Sequence, residues 1–287
     1  MRLLWQFLVG FVLSAAIAFV AYRRRSLSKS GVLGAMMVGT AIFGFGGWVW
    51  GLLLIAFFVL SSLLSHYKQR EKERVAADKF DKGGTRDIGQ ALANGGAGAL
   101  IAAAYALTGS DALLFAAFLG AMASVNADTW ATELGVLSHT PPRLITTLKP
   151  VEPGTSGGVS LLGMLATAGG ALTIALCALA FMALDGLFGG PGLGVTGPAG
   201  GRLLQVVGIA VLSGLAGSLF DSLLGATVQA IYRCPTCRKD TEKRLHTCGT
   251  PTRQVRGWAW LTNDLVNFVS SLVGAGIAVA LGLLLGW

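Results

Sequence analysis

Charge is scarce in this sequence. Only 13% of the 287 residues are Asp, Glu, Lys or Arg, whereas 53% are hydrophobic. A soluble domain of this length needs far more charge to cover its surface, so a free-standing globular protein is excluded. Acidic residues are the rarer sign, 14 against 22 Lys and Arg, which makes every carboxylate inside an apolar run worth locating. The long connection 186–201, GLFGGPGLGVTGPAGG, has hardly any side chain with which to do chemistry, so catalysis is not expected there.

Long apolar runs stand where the charge is missing, and the mean hydropathy is +0.66. Windows of about 18 or more apolar residues fall near 3–22, 31–47, 48–65, 89–107, 112–131, 158–184, 203–225 and 264–286, with glycine-rich 43–48 between the second and third. The expectation is an all-α, polytopic transmembrane protein of about eight spans, a single integral membrane domain over 1–287.

The net charge of +8 does not mark a nucleic-acid surface, because all the basic residues except Arg2 and Arg202 sit in four segments, one after every second span. These carry Arg23, Arg24, Arg25 and Lys29; Lys68, Arg70, Lys72, Arg74, Lys79, Lys82 and Arg86; Arg143 and Lys149; and Arg233, Arg238, Lys239, Lys243, Arg244, Arg253 and Arg256. All four fall on one side, and the positive-inside rule makes that side cytoplasmic, with both termini outside. A prokaryotic inner (plasma) membrane with the polar site facing the cytoplasm is the expected location. Arg2 followed by Leu3 to Tyr22 is long for a cleaved signal and meets three arginines at once, so it reads as a first span.

The loop 66–87 mixes both signs. Its first half reads as a solvated helix laced by pairs four apart. In its second half, Lys82, Arg86, Gln90 and Asn94 recur every four residues and would line one helical face running into the membrane. Most of the 41 glycines suit close packing of membrane helices.

Ionisable groups in or beside membrane spans are costly and mark function. Here they are Asp128 and Glu133 in SVNADTWATELG, Asp221 in GSLFDSLLGATVQ and Asp264 in TNDLVNFVSS, accompanied by the amides Asn94, Asn126, Gln229, Asn263 and Asn267. The topology places all four carboxylates near the cytoplasmic face. Carboxylates converging without matching cations point to a hard ion such as Mg²⁺, and Mg²⁺ in turn points to a phosphate-bearing substrate. The segment 149–160, KPVEPGTSGGVS, adds Gly154, Gly157 and Gly158 for close backbone approach, Thr155 and Ser156 hydroxyls, and Lys149. It opens a helix, whose free N–H groups and dipole favour phosphate.

Asp128-x-x-Ala131-x-x-x-Gly135, with Lys149 and the glycine-rich segment, resembles the nucleotide signature of dolichol and phytol kinases and of CDP-diacylglycerol synthases. There the lysine is followed by Glu-Gly, whereas here Pro153 separates Glu152 from Gly154. A resemblance over most of the chain is carried by NADTWATELG, PGTSGGVSLLG, FDSLLGATVQ and the late Asn/Asp segment. It is to the integral membrane family catalogued as domain of unknown function 92, which includes plant and cyanobacterial phytyl-phosphate kinases. The resemblance implies transfer of the γ-phosphoryl group of a nucleoside triphosphate, CTP or ATP, to an isoprenoid monophosphate. On that reading Asp128 and Asp221 are the leading Mg²⁺ ligands, with Glu133 and Asp264 as second choices. Lys149 and 154–158 would hold nucleotide phosphates and Lys82 and Arg86 the lipid phosphate, with Asn94, Asn126, Asn263 and Asn267 nearby.

Two other readings compete. A secondary transporter also uses broken helices and buried acids, but should place them near the midplane rather than toward one face. A cytidylyltransferase would instead form a CDP-lipid. Separately, Cys234-x-x-Cys237 and His246-x-Cys248 lie in the last basic loop, 233–256. Disulfides are disfavoured in the cytoplasm, and this spacing fits a small knuckle closing a structural Cys₃His zinc site. Cys177, inside a span, reads as a packing residue.

Overall fold

Helix boundaries follow local chemistry. The computed structural model describes residues 2–76, 79, 84–109, 111–188 and 199–287. The first apolar run forms α1 (Arg2–Arg23) and stops at the arginines. Ser28 caps α2 (Lys29–Gly46), its Oγ accepting from the Gly31 N–H at 3.1 Å. Gly47, at φ 87°, ends α2 and starts α3 (Trp48–His66); only glycine adopts this backbone without strain. A short α4 (Gln69–Ala76) follows. Asp87 and Gln90 then form a reciprocal capping box at the start of α5 (Ile88–Leu107), satisfying orphan N–H groups of the first turn. After α6 (Ala112–Gly135) come β1 (Arg143–Leu144) and β2 (Gly158–Val159), then α7 (Leu161–Leu187) and α8 (Ala199–Thr227). The strands β3 (Ile231–Arg233), β4 (Asp240–Thr241) and β5 (Arg253–Arg256) precede α9 (Asn263–Leu285).

Among the described residues, seven helices, all but α4 and α5, are long and apolar enough to cross a membrane. The eight expected spans thus become seven on that criterion. The eighth, α5, has the length, but Gln90 and Asn94 dilute its apolar character. The cap also corrects the proposed face from residue 82 to 94. Arg86 precedes the helix in an isolated bridge to Leu27, so only Gln90 and Asn94 share a helical face, and Lys82 lies outside the described residues.

The central element is α6, almost wholly buried from Phe115 to Ala127 and packed by α7, α8, α9, α5 and α3. Contact there is backbone to backbone. A Cβ on Gly120 would meet the Gly274 carbonyl oxygen at 2.6 Å, and one on Gly214 would meet the Ala123 carbonyl oxygen at 3.2 Å. Small residues let membrane helices approach this closely. Farther along, Trp50 packs on Tyr105, Phe115 and Phe118 with centroids 4.3–5.6 Å apart. α1 lies at the edge, with Leu4, Trp5 and Phe19 exposed as lipid contact requires.

Candidate active site

Alternating chain direction brings the C-terminal ends of α3, α6 and α8 and the N-terminal ends of α5, α7 and α9 to one face, around a cavity of about 860 Å³. That size suits a small-molecule or cofactor site. Asp128, Glu133, Asp221, Asp264, Asn94, Asn263, Asn267, Arg86 and the whole turn 154–158 line it.

The two leading carboxylates face each other across the α6–α8 contact. Ser218 Oγ donates to Asp128 Oδ1 at 3.3 Å, and Asp221 follows Ser218 by three residues, on the same face of α8. Asp221 Oδ2 is buried with no hydrogen-bond partner among the described residues. A buried, unpaired carboxylate oxygen beside a second carboxylate is costly, and an oxygen-seeking cation offsets that cost. The donor set therefore fits Mg²⁺ at Asp128 and Asp221.

Glu133 is different. Lys72 of α4 pairs with it at 2.6 Å, with side chains only 10% and 21% exposed, and Ser65 Oγ donates to it at 2.6 Å. The expectation of carboxylates without matching cations fails here, because folding carries Lys72 to Glu133 from 61 residues away. Removing one partner of such a pair costs about 1–3 kcal/mol. Lys72→Met should therefore lower the thermal midpoint in detergent, and Lys72→Met/Glu133→Gln should recover most of the loss. A double variant no more stable than the single one would show that the pair does not hold α4 to α6.

The glycine-rich turn does not itself open a helix, as the sequence suggested. β2 intervenes, and α7 is capped by Ser160, whose Oγ accepts from Gly163 N–H at 3.1 Å. The turn instead docks on the end of α8. Gly154 and Gly157 have φ 77° and 82°, and a Cβ on Gly157 would lie 2.5 Å from the Ala226 backbone nitrogen. Ser156 Oγ donates to Gln229 Oε1, and Gln229 Nε2 donates to Glu242 Oε1, both at 2.8 Å.

Arg86 lines the cavity and packs on two aromatic rings. Its guanidinium lies 5.7 and 5.6 Å from the Phe57 and Phe58 centroids. Burial lowers its pKa to about 10, opposed by nearby Glu133, so it stays charged at neutral pH. Arg86, Gln90 and Asn94 also line an apolar cleft among α1, α2, α3 and α5, with Leu13, Ile17 and Phe58.

Two proposed phosphate contacts fall elsewhere. Lys149 is exposed and outside the cavity lining. Asn126 is fully buried, and its Nδ2 donates to the Gly170 carbonyl at 2.7 Å, joining α6 to α7. Lys72, Ser218, Lys243 and Arg244 also line the cavity. Ser218 was legible as a polar residue one turn before Asp221; the three basic residues carried no local signal.

Fold and site define a polytopic helical membrane protein with a polar, carboxylate-bearing cavity at the ends of its helices. The chain belongs to the integral membrane protein DUF92 family, whose model matches residues 12–275. It is 37% identical to Protein PGR of Arabidopsis thaliana, over 94% of this chain and 93% of that one. It is 32% identical to the uncharacterized membrane protein MJ0933 of Methanocaldococcus jannaschii, over 97% and 95%. Protein VTE6, chloroplastic, of Arabidopsis thaliana is 27% identical over 88% of this chain and 64% of its own. No solved structure is a significant match.

Proposed function

We propose that this protein is a membrane kinase that transfers the γ-phosphoryl group of CTP or ATP to an isoprenoid monophosphate, giving the diphosphate. The observation that carries the reading is one cavity holding Asp128, Asp221, the 154–158 turn and Arg86, which shares Arg86, Gln90 and Asn94 as a wall with an apolar cleft. Such a site takes a polar nucleotide from one side and an amphiphile from the other. The isoprenoid chain next to the phosphate lies in the cleft, and the distal chain stays in the bilayer.

Asp128 and Asp221 lie nearly two turns inside the C-terminal ends of α6 and α8, so their own carboxylate charges, rather than the helix dipoles, would attract a hard cation. The N-termini of α7 and α9, with Arg86, Lys243 and Arg244, give the facing walls positive potential for phosphate groups. Mg²⁺, when bound, would neutralise charge on the transferring phosphoryl group. The chain's own part is positioning: Arg86 holds the lipid phosphate, and the glycine turn holds the nucleotide. An oxygen of the lipid phosphate attacks the γ-phosphorus, the bond to the β-phosphate bridging oxygen breaks, and nucleoside diphosphate leaves. With α5 crossing as an eighth span, the basic loops face the cytoplasm of a prokaryotic plasma membrane and the termini lie outside.

Purified protein, Mg²⁺, each nucleotide and a ladder of prenyl monophosphates test this. Diphosphate lipid plus nucleoside diphosphate is expected, with chains reaching the cleft preferred over a single isoprene unit. CDP-lipid plus pyrophosphate would replace the kinase by the cytidylyltransferase. Absence of any product, with ion-coupled uptake into liposomes, would replace it by the transporter.

A further inference from the structure

We infer that the last loop binds one structural Zn²⁺ through Cys234, Cys237, His246 and Cys248, and that this ion fixes one wall of the cavity. One ligand atom from each of the four residues lies within 4.8 Å of all the others. Two hairpin tips supply them. In the first, which connects β3 to β4, the Arg238 N–H donates to the Cys234 carbonyl and Cys234 N–H to the Lys239 carbonyl, at 2.9 and 3.0 Å. There Cys237 N–H also approaches Cys234 Sγ at 3.4 Å. The second tip folds over Gly249 at φ 80°, with His246 N–H donating to the Thr250 carbonyl at 3.0 Å. Cys248 Sγ comes within 3.6 Å of Cys234 Sγ.

Four soft and borderline donors closing on one point, with no fifth position offered, make a structural zinc site rather than a catalytic one. The small size of the loop's sheet supports this. The sheet β4–β3–β5 has strands of only two to four residues, too little to fold without a staple. A metal supplies that staple.

The ion's position gives it a role. Glu242, Lys243 and Arg244 lie between the two tips and line the cavity. Glu242 also ends the chain of hydrogen bonds through Gln229 to Ser156 of the glycine turn. Arg256 Nη2 caps the Gly225 carbonyl at the end of α8, at 2.7 Å. The knuckle therefore braces the turn and the helix end that carries Asp221. Binding of zinc does not depend on the kinase reading, since metal content is measured without turnover.

Elemental analysis of full-length protein, purified without chelator from zinc-supplied cells, should give about one zinc per chain. Cobalt substitution should produce thiolate charge-transfer and tetrahedral d–d absorption. Cys234→Ser/Cys237→Ser should lose the metal, whereas Cys237→His should keep it as a Cys₂His₂ site. Should the double serine variant fail to fold, alkylation of the native protein decides. Cys234, Cys237 and Cys248 should react slowly before chelation and quickly after it, with Cys177 unchanged. Metal-free native protein, undiminished zinc in a folded double variant, or a Cys234–Cys237 disulfide in the purified protein would overturn the proposal.

Discussion

Asp128→Asn and Asp221→Asn should each lower isoprenyl diphosphate formation by about a hundredfold or more while leaving the protein folded and inserted. Asparagine keeps the size and the hydrogen-bond acceptor but removes the charge that a hard cation needs. Ser218 Oγ can still donate to the amide oxygen at position 128, and the buried Asp221 Oδ2 has no hydrogen bond among the described residues to lose. Relieving two facing carboxylates of mutual repulsion should even leave stability unchanged or raised. The loss then belongs to the reaction, on the scale of a few kcal/mol of transition-state stabilisation. Turnover of the purified variants at saturating Mg²⁺ is the measurement, with thermal midpoints as the folding control. Wild-type turnover in both variants would remove the pair from the mechanism and bring the transporter reading forward.

Gly157→Ala should cost on the order of a hundredfold in turnover, the scale of an ångström-sized misplacement. Two effects combine. The backbone at φ 82° disfavours any L side chain by about 1–2 kcal/mol. The new Cβ would also meet Ala226 N and Cα at 2.5 and 2.6 Å, backbone atoms in a packed helix that cannot swing aside. The turn must then lift from α8, carrying the 154–158 segment away from Asp221. Ser156→Ala is the contrast. It loses one hydrogen bond to Gln229, worth about 0.5–1.5 kcal/mol, and leaves the turn's conformation in place. An alanine variant with unchanged turnover and nucleotide KM would show that the turn does not hold the nucleotide.

The amino-acid sequence determined the membrane class, the helix positions and the face on which the polar groups gather. Each of these is local or periodic. An apolar run of about 18–20 residues must be helical to satisfy its own backbone in lipid, and basic residues after every second run leave their loops on one side. Asp128, Asp221 and Asp264 stood out because a carboxylate in such a run has no cheap explanation. The Cys/His cluster was legible for a similar reason, since Cys-x-x-Cys followed by His-x-Cys is a spacing that can close on one metal ion, and the four donor atoms do lie together. Only the tertiary structure decided which groups answer one another. It gave Glu133 a cation in Lys72, sent Asn126 to the Gly170 carbonyl, left Lys149 outside, and joined the glycine turn to α8 rather than to the start of α7. It also brought Lys243 and Arg244 of the knuckle to the cavity wall. Those outcomes rest on pairings tens of residues apart, and no periodicity within a single helix encodes them. Where Asn126 meets Gly170 and the glycine turn meets Ala226, glycine contacts set how close two backbones come and therefore which side chains meet.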